Sequence, residues 1–402
     1  MTNRQAAIGI IKTLRQHGFE ALLAGGCVRD MLLRKRAKDY DVATNAEPQK
    51  VLGLFKRTVK VGVQFGVVIV LVKDQQVEVA TFRSDEGYVD GRRPVRVHYT
   101  TAQEDANRRD FTVNGMFYDP MARQVIDHVK GAADLEQRII RTIGPAQARF
   151  SEDYLRMLRA IRFSARLGFR IEPTTLGAIK THAHHIVNIS RERITMELEG
   201  ILVHPGRAQA WRLLLDTALA DHLFPGMVSQ QWQAGVEVLG KLQKKAGFLL
   251  SLCAVFVGCD TAQALQQIKS LKLSRCQTRT CQFLLTHRGA LLCDDMPLSE
   301  LKLIGAEPQF WDVFELQRAV QRANGWPVTA LTRIRRRIEA LSAAELRPNP
   351  LLDGHVLIRL GVPSGPMVGR LLQAVYRAQL EGTLSSAQQA EQWVIERMKS
   401  EE

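Results

Sequence analysis

The hydrophobic pattern of this chain changes character once, near residue 144. Before that point, short apolar runs are interrupted by Gly, Pro or charge. Leu22–Ala24 is a short apolar run that meets Gly25-Gly26, and Asp41–Thr44, Thr58–Gly62, Gly66–Val72 and Val77–Phe82 read as strands. Pro48 opens PQKVLGLFK, a helix with proline in its first turn. Near the N-terminus, Ile8, Ile10, Ile11 and Leu14 mark an amphipathic helix. From about Gln147 the apolar residues return at helical spacing. In ARFSEDYLRMLRAIRFSARLGF they are Leu155, Leu158, Ile161, Phe163, Ala165 and Leu167, with Gly168 as the stop. QAWRLLLDTALADHLF, ALQQIKSLKL and VGRLLQAVYRAQLEG keep that period. A chain of 402 residues exceeds one typical domain. The pattern predicts a small α/β head followed by an all-helical remainder, with no flexible linker or internal repeat. Ser84–Thr101, charged and containing Gly and Pro, reads as a long loop.

Charge narrows the partners. Lys and Arg number 55 against 41 Asp and Glu, a net charge of +14, which favours a polyanion. No apolar run approaches the roughly 20 residues that span a bilayer. The N-terminus has no continuous apolar core or small-residue cleavage site of a signal peptide. A cytoplasmic protein without a membrane partner is expected. The six cysteines form no CxxC pair and no zinc spacing with histidine, so they read as reduced thiols. His182, His184 and His185 lack nearby carboxylates at ligand spacing and read as helix surface.

Three clusters carry chemistry. The first is Gly25-Gly26-Cys27-Val28-Arg29-Asp30, followed by Asp39-Tyr40-Asp41. Carboxylates at i and i+2 of a strand share a face, about 6–7 Å apart at the backbone. That suits Mg²⁺, which prefers carboxylate and phosphate oxygens, and in-line phosphoryl displacement. The glycines let backbone N–H groups approach a triphosphate, and Arg29 can neutralise it. Alone, the acidic pair equally fits a solvated strand end, and the glycine pair a tight turn. The second cluster is Glu104-Asp105-Ala106-Asn107-Arg108-Arg109-Asp110-Phe111-Thr112-Val113-Asn114. It fits ribose and phosphate binding, or a charged helix end capped by Asp110. The third is Glu152-Asp153 with Arg156, Arg159 and Arg162. It fits a solvated basic stripe, except that Asp153 stands beside the stripe within reach of Arg156.

In this order and at these distances, the three clusters resemble the class II tRNA nucleotidyltransferase and bacterial poly(A) polymerase family, of the polymerase-β-like superfamily. Gly25 through Leu33 with Asp39 and Asp41 resembles the motif GGxVRDxLL(x)nDxD. RRDFTVN is similar to RRDFTxN, and EDYLRMLRAIRF to EDxxRxLRAxRF. The resemblance covers about residues 20–200, with a weaker one at LLDGHVLIRLGVPSGPMVGRLLQAVYRAQLEG. It implies an α+β fold: a nucleotidyltransferase head with a small mixed sheet over 1–144, and helical neck, body and tail over 145–205, 206–345 and 346–402, the tail binding RNA. It also implies that Asp39 and Asp41 are catalytic and bind Mg²⁺, with Gly26 and Arg29 at the incoming triphosphate. Arg108, Arg109 and Asp110 would lie at ribose and phosphates, and Asp153 and Arg156 would read the base, supported by Arg159 and Arg162. Glu78, in VEVATFR, is the position for a third carboxylate.

The family includes enzymes that complete CCA on tRNA, that add only CC or only A, and poly(A) polymerases. The G-[RK]-[RK]-F stretch typical of the polymerases is replaced by Gly62-Val63-Gln64-Phe65-Gly66, and no long Arg-rich extension ends the chain. The Ser84–Val97 segment, shortened in CC-only members, is present. These features favour CCA addition to tRNA from CTP and ATP, ahead of A-only or CC-only addition and of poly(A) polymerase. A non-catalytic RNA-binding protein is disfavoured by the intact Asp39, Asp41 and Asp110. Arg333, Arg335, Arg336 and Arg337, with KSLKLSR, fit a surface that follows a phosphate backbone and equally fit ordinary solvated helix faces.

Overall fold

The strands form where β-branched and apolar residues alternate with turn residues, and seven of them build one mixed sheet. The computed structural model describes residues 1–60, 63–89 and 93–401, with only the backbone for Gln64, 85–89, 93–97 and 400–401. Two compact units result, 1–227 and 228–402.

In chain order the first unit begins with α1 (Asn3–Gln16), β1 (Ala21–Ala24), α2 (Gly26–Leu32), β2 (Asp41–Thr44), α3 (Pro48–Leu54) and β3 (Thr58–Val59). Next come β4 (Val67–Val72), β5 (Gln75–Thr81), β6 (Arg83–Val89), β7 (Arg93–Tyr99) and α4 (Ala102–Asn107). β8 (Phe117–Asp119), β9 (Gln124–Ile126) and α5 (Gly131–Glu136) complete the α/β part. Thr2 caps α1 with a reciprocal bond to Gln5, and Ala6, Ala7, Ile10, Ile11 and Leu14 are its buried face. The sheet order is β3-β4-β5-β2-β1-β8-β9. Only β2 and β5 pair in parallel; the other neighbours are antiparallel. Leu22, Ala24, Ala43, Phe82, Ala106 and Phe117 form a buried cluster, with Phe82 edge-on to Phe117 at 5.8 Å.

The small mixed sheet, followed by helices, matches the fold read from the sequence. Ser84–Thr101 does not form the expected loop. β6 and β7 pair as a two-stranded antiparallel hairpin in register Arg83↔Tyr99 to Val89↔Arg93. In the sequence, Val95, Val97 and Tyr99 alternate with Arg96 and His98, a strand period that Gly and Pro obscure. Residues 90–92 lie outside the described residues, as do 61 and 62 of the Thr58–Gly62 strand.

Six helices follow in this unit: α6 (Ala146–Glu152), α7 (Leu155–Leu167), α8 (Pro173–His182), α9 (Arg191–Leu202), α10 (Arg207–Asp216) and α11 (Leu219–Leu223). The helix expected to run unbroken to Gly168 is divided. Asp153 adopts an extended conformation, φ −154° and ψ 102°, between α6 and α7. Gly168 does stop α7, at φ 72°. The second unit is helical throughout its described residues. Its last three helices, Gly354–Arg359, Pro366–Glu381 and Ala387–Glu401, contribute to a core of their own that includes Leu357, Leu371, Val375 and Val394. The six cysteines are free. No helix among the described residues is long and apolar enough to cross a membrane.

Candidate active site

A glycine turn opens the site. Gly25 follows β1 with φ 72°, in the left-handed region that strains other residues, and a Cβ there would meet Arg109 Nη1 at 3.0 Å. Its carbonyl accepts from the Val28 and Arg29 N–H groups, which starts α2. Arg29 is 3% exposed. It ion-pairs with Asp30 at 2.7 Å and donates to Asn114 Oδ1 at 2.6 Å. The first and second sequence clusters are thus joined, and Arg29 keeps its remaining N–H groups and its charge for the cavity.

The acidic pair sits at the start of β2. Only Asp41 belongs to the strand; Asp39 precedes it, where the sequence reading set both on the strand. Both line one cavity of about 680 Å³, together with Gly26 and Glu78. β2 and β5 run parallel with Val42 opposite Val79. Asp41 and Glu78, one residue earlier on each strand, therefore lie side by side. Burial, then Glu78, then Asp39 push the Asp41 carboxyl up to about 6, with Arg109 opposing. Among the described residues no three His, Cys, Asp or Glu side chains are grouped as a finished metal cage. Mg²⁺ does not need one, since it usually binds through one or two carboxylates plus substrate phosphates. A carboxylate raised by acidic neighbours, as Asp41 is, fits such a cation.

The same cavity is also lined by arginines. Asp105, 1% exposed, accepts from Arg108 Nη2 at 2.6 Å and from Arg109 Nη2 at 2.8 Å. Burial raises its pKa, but the two arginines outweigh burial and leave it lowered. Arg109 also lies over Phe117, 5.0 Å from the ring centre. Asp110 is not a helix cap. Its Oδ1 accepts from the Phe111 N–H and from Asn114 Nδ2, and its Oδ2 from Arg159 Nε and Nη2 at 2.8 and 2.6 Å. Burial opposes ionisation of Asp110, yet Arg159 and these bonds hold its carboxyl below the usual range. Asp105 and Asp110 therefore fix arginines that line this cavity.

The third cluster departs from its expected pairing. Arg156 bonds Glu152 and the Arg149 carbonyl, the latter at 2.8 Å. Asp153 accepts instead from Arg193 Nη2 at 2.6 Å and from the Leu155 N–H at 3.0 Å, starting α7. Arg162 pairs with Glu197 at 2.7 Å and lies over Phe163 at 4.7 Å. The arginine row is a set of ion pairs, not a solvated stripe. Asp153, Arg156, Arg159, Arg162 and Arg193 all line the cavity, with Arg108, Arg109 and Asp110. Asp105 stands in the second cluster with no role of its own in the sequence, and Arg193 and Glu197 belong to none of the three clusters. Asp105 had a signal, three and four residues before two arginines; Arg193 and Glu197 had none.

Of the arginines read as an RNA surface, on the helix Thr329–Glu339, Arg337 donates to the Asp294 and Met296 carbonyls and is a structural brace. Arg333 pairs with Asp294 at 2.9 Å and Arg335 with Glu339 at 2.7 Å. Arg336 is exposed.

Residues 21–141 match the family model described as the poly A polymerase head domain. Residues 168–231 match the model described as the probable RNA and SrmB-binding site of polymerase A. The chain is 35% identical to the CCA-adding enzyme of Geobacillus thermodenitrificans, over 99% of this chain and 98% of that protein. It is 32% identical to that of Lactobacillus johnsonii, over 96% and 95%. Its fold superposes on the crystal structure of the Bacillus stearothermophilus CCA-adding enzyme in complex with CTP with a TM-score of 0.84, at 30% identity, covering 100% of this chain and 99% of that one. Sequence over nearly the full length, fold and cavity agree: this chain belongs to the CCA-adding enzyme family.

Proposed function

We propose that this chain completes the 3′ end of tRNA, adding C and A nucleotides from CTP and ATP without a template, in the cytoplasm. One observation carries the reading: three carboxylates (Asp39, Asp41, Glu78) and three arginines (Arg29, Arg109, Arg159) line a single cavity. That arrangement suits a nucleoside triphosphate with its cation, and little else.

Asp39 and Asp41 are the residues to hold Mg²⁺, with Glu78 in the position of a third carboxylate. When bound, the ion neutralises phosphate charge and favours the attacking oxygen of the RNA 3′ end. The protein's own part is positioning and electrostatics. Arg29 and the Gly26 backbone serve the triphosphate. Arg108 and Arg109, braced by Asp105, serve ribose and phosphates, and Asp110 holds Arg159 toward the same space. Asp153 and Arg156 present an acceptor and a donor for the base. C and A both offer an amino donor beside a ring-nitrogen acceptor, whereas U and G offer the reverse polarity. In this reading 1–144 is the catalytic head, 145–205 the neck that reads the base, 206–345 the body, and 346–402 the tail that grips RNA.

The test is direct. Purified protein receives tRNA transcripts ending before CCA, after C, or after CC, with each labelled nucleotide supplied singly and Mg²⁺ present. C, C and then A should be added in turn, and each should cease with chelator. Runs of A on any RNA end would point to a poly(A) polymerase instead.

A further inference from the structure

Four histidines of the first unit were left without a role. After α8 the chain makes a 3₁₀ turn over Ala183–Asn188, and its rings pack against each other and against Tyr154. His184 and His185 lie 3.9 Å apart between ring centres, and His185 stacks on Tyr154 at 4.5 Å with 21° between the planes. His182 adjoins both Tyr154 and His185 at about 6 Å, and His222 meets His184 edge-on at 6.4 Å. Both ring nitrogens of His182 are buried without a hydrogen-bond partner.

This is an odd way to pack imidazoles. Buried polar rings usually find partners, and a metal would need converging donors, which no three such side chains among the described residues supply. What the rings do offer is flat aromatic face. His184 is exposed, and His185 and Tyr154 are half-buried. Burial first, then His184 and His182, lower the pKa of His185, which favours its neutral ring. The position is informative too. Tyr154 lies between Asp153 and Leu155, which both line the nucleotide cavity, while Tyr154 itself is not part of the lining. The ladder thus starts beside the cavity and leads away from it. From Pro173 to Arg191 the chain carries no acidic residue, but does carry Lys180 and Arg191, so a phosphate backbone meets no like charge from this segment.

We infer that Tyr154, His185 and His184 form a stacking platform for the unpaired bases at the 3′ end of the RNA acceptor, next to the nucleotide cavity. Single-stranded RNA bases stack on Tyr and His rings with little regard to sequence, which suits an end whose identity changes as it grows. The inference rests on the transferase reading above for its ligand.

The test uses the full chain and an acceptor-stem RNA carrying 2-aminopurine as its unpaired terminal base. Binding should quench the fluorophore. His184→Ala with His185→Ala should abolish the quench and raise the KM for RNA by about tenfold, with CTP affinity of the RNA-free protein unchanged. His184→Phe with His185→Phe should retain both quench and KM, because the flat faces remain. Equal quenching in the alanine variant, or an unchanged RNA KM, would overturn the platform. So would a parallel loss of CTP binding, since the rings would then be props for Asp153. If the unaltered protein quenches the probe yet adds no nucleotide to any transcript, the transferase reading fails and the platform stands.

Discussion

Arg193 Nη2 donates to Asp153 Oδ2 at 2.6 Å, an ion pair between residues 40 positions apart, with both side chains mostly buried. The other Asp153 oxygen takes the Leu155 N–H. The carboxylate proposed to read the base is therefore held on both sides, and its free lone pairs point in a fixed direction. Loss of Arg193 should leave nucleotide binding but blur nucleotide choice. For Arg193→Ala the ratio of kcat/KM for CTP over UTP should fall by about tenfold, the worth of one well-placed polar contact. Arg193→Lys should recover only part, since an ammonium cannot replace the planar guanidinium. An unaltered ratio would remove Arg193 from base selection.

Asp39→Asn and Asp41→Asn should each lower turnover by on the order of a thousandfold while tRNA affinity stays near that of the parent. RNA affinity comes mainly from basic groups that neither change touches. Single-turnover assays and filter binding at one salt concentration separate the two effects. Near-native turnover in either variant would refute the metal assignment.

The Asp41 carboxyl, raised from its ordinary 3.8 to about 6 by burial and its acidic neighbours, carries a stability consequence. The folded state binds this proton more tightly than the unfolded state does. Stability therefore falls as pH rises from about 4 to about 6 and stays reduced above that. At about 1.4 kcal/mol per pKa unit, less some screening because the group is partly exposed, the cost at pH 7.5 is roughly 2 kcal/mol. Metal-free Asp41→Asn should be more stable than the parent by about that amount at pH 7.5, with the gap closing at pH 4. Mg²⁺ should stabilise the parent more than the variant. Denaturant titrations at the two pH values measure both, and an equal or lower stability for the variant at pH 7.5 would contradict the account.

The motifs were legible because each is local. Gly25-Gly26 through Asp41, RRDFTVN and EDYLR place their residues through one turn, one strand end or one helix start. The hairpin was obscured because β6 is charged and carries no apolar alternation, and Pro94 interrupts the two-residue period of β7. The break at Asp153–Tyr154 was obscured for the opposite reason: the apolar period runs through it unchanged, and only the extended Asp153 backbone reveals two helices. The pairings Arg193–Asp153 and Arg159–Asp110 join residues 40 and 49 apart. No local pattern encodes such distances. The sequence reading therefore found which residues gather at the cavity, but gave Asp153 the wrong arginine.

On the helix Thr329–Glu339, the four arginines should separate by experiment. Arg335→Ala with Arg336→Ala should shallow the salt dependence of tRNA binding by about one to two units of log–log slope, since each phosphate contact contributes somewhat under one. Arg337→Ala should lower the melting temperature instead, because its donors satisfy the Asp294 and Met296 carbonyls. An unchanged slope in the double variant would take this helix off the RNA surface.

We propose that the hairpin of β6 and β7 adapts the pocket between C and A. Its root is tied to the site. Asp105 Oδ1 accepts from the Arg83 N–H at 3.3 Å, and Arg108 Nε donates to the Arg83 carbonyl at 2.9 Å. The same Asp105 braces Arg109, so a displacement of the hairpin reaches the arginines proposed to meet the ribose and phosphates. Glu86 and Arg96 are register partners. Replacing the residues between them with a two-residue Asn-Gly turn shortens the hairpin without shifting its root. C addition should survive largely intact in this variant, and A addition to tRNA ending in CC should fall at least tenfold, as when a mobile segment completes a site for one substrate only. Exchanging the base readers is a harsher probe than the motif suggested. Asp153→Arg with Arg156→Asp would set a guanidinium against Arg193 and a carboxylate against Glu152, so Arg193→Asp and Glu152→Arg must accompany it. The fourfold variant should shift preference toward U or G. Equal slowing of C and A by the shortened hairpin would make it a general structural part, and a retained C and A preference in the exchanged protein would place base reading elsewhere.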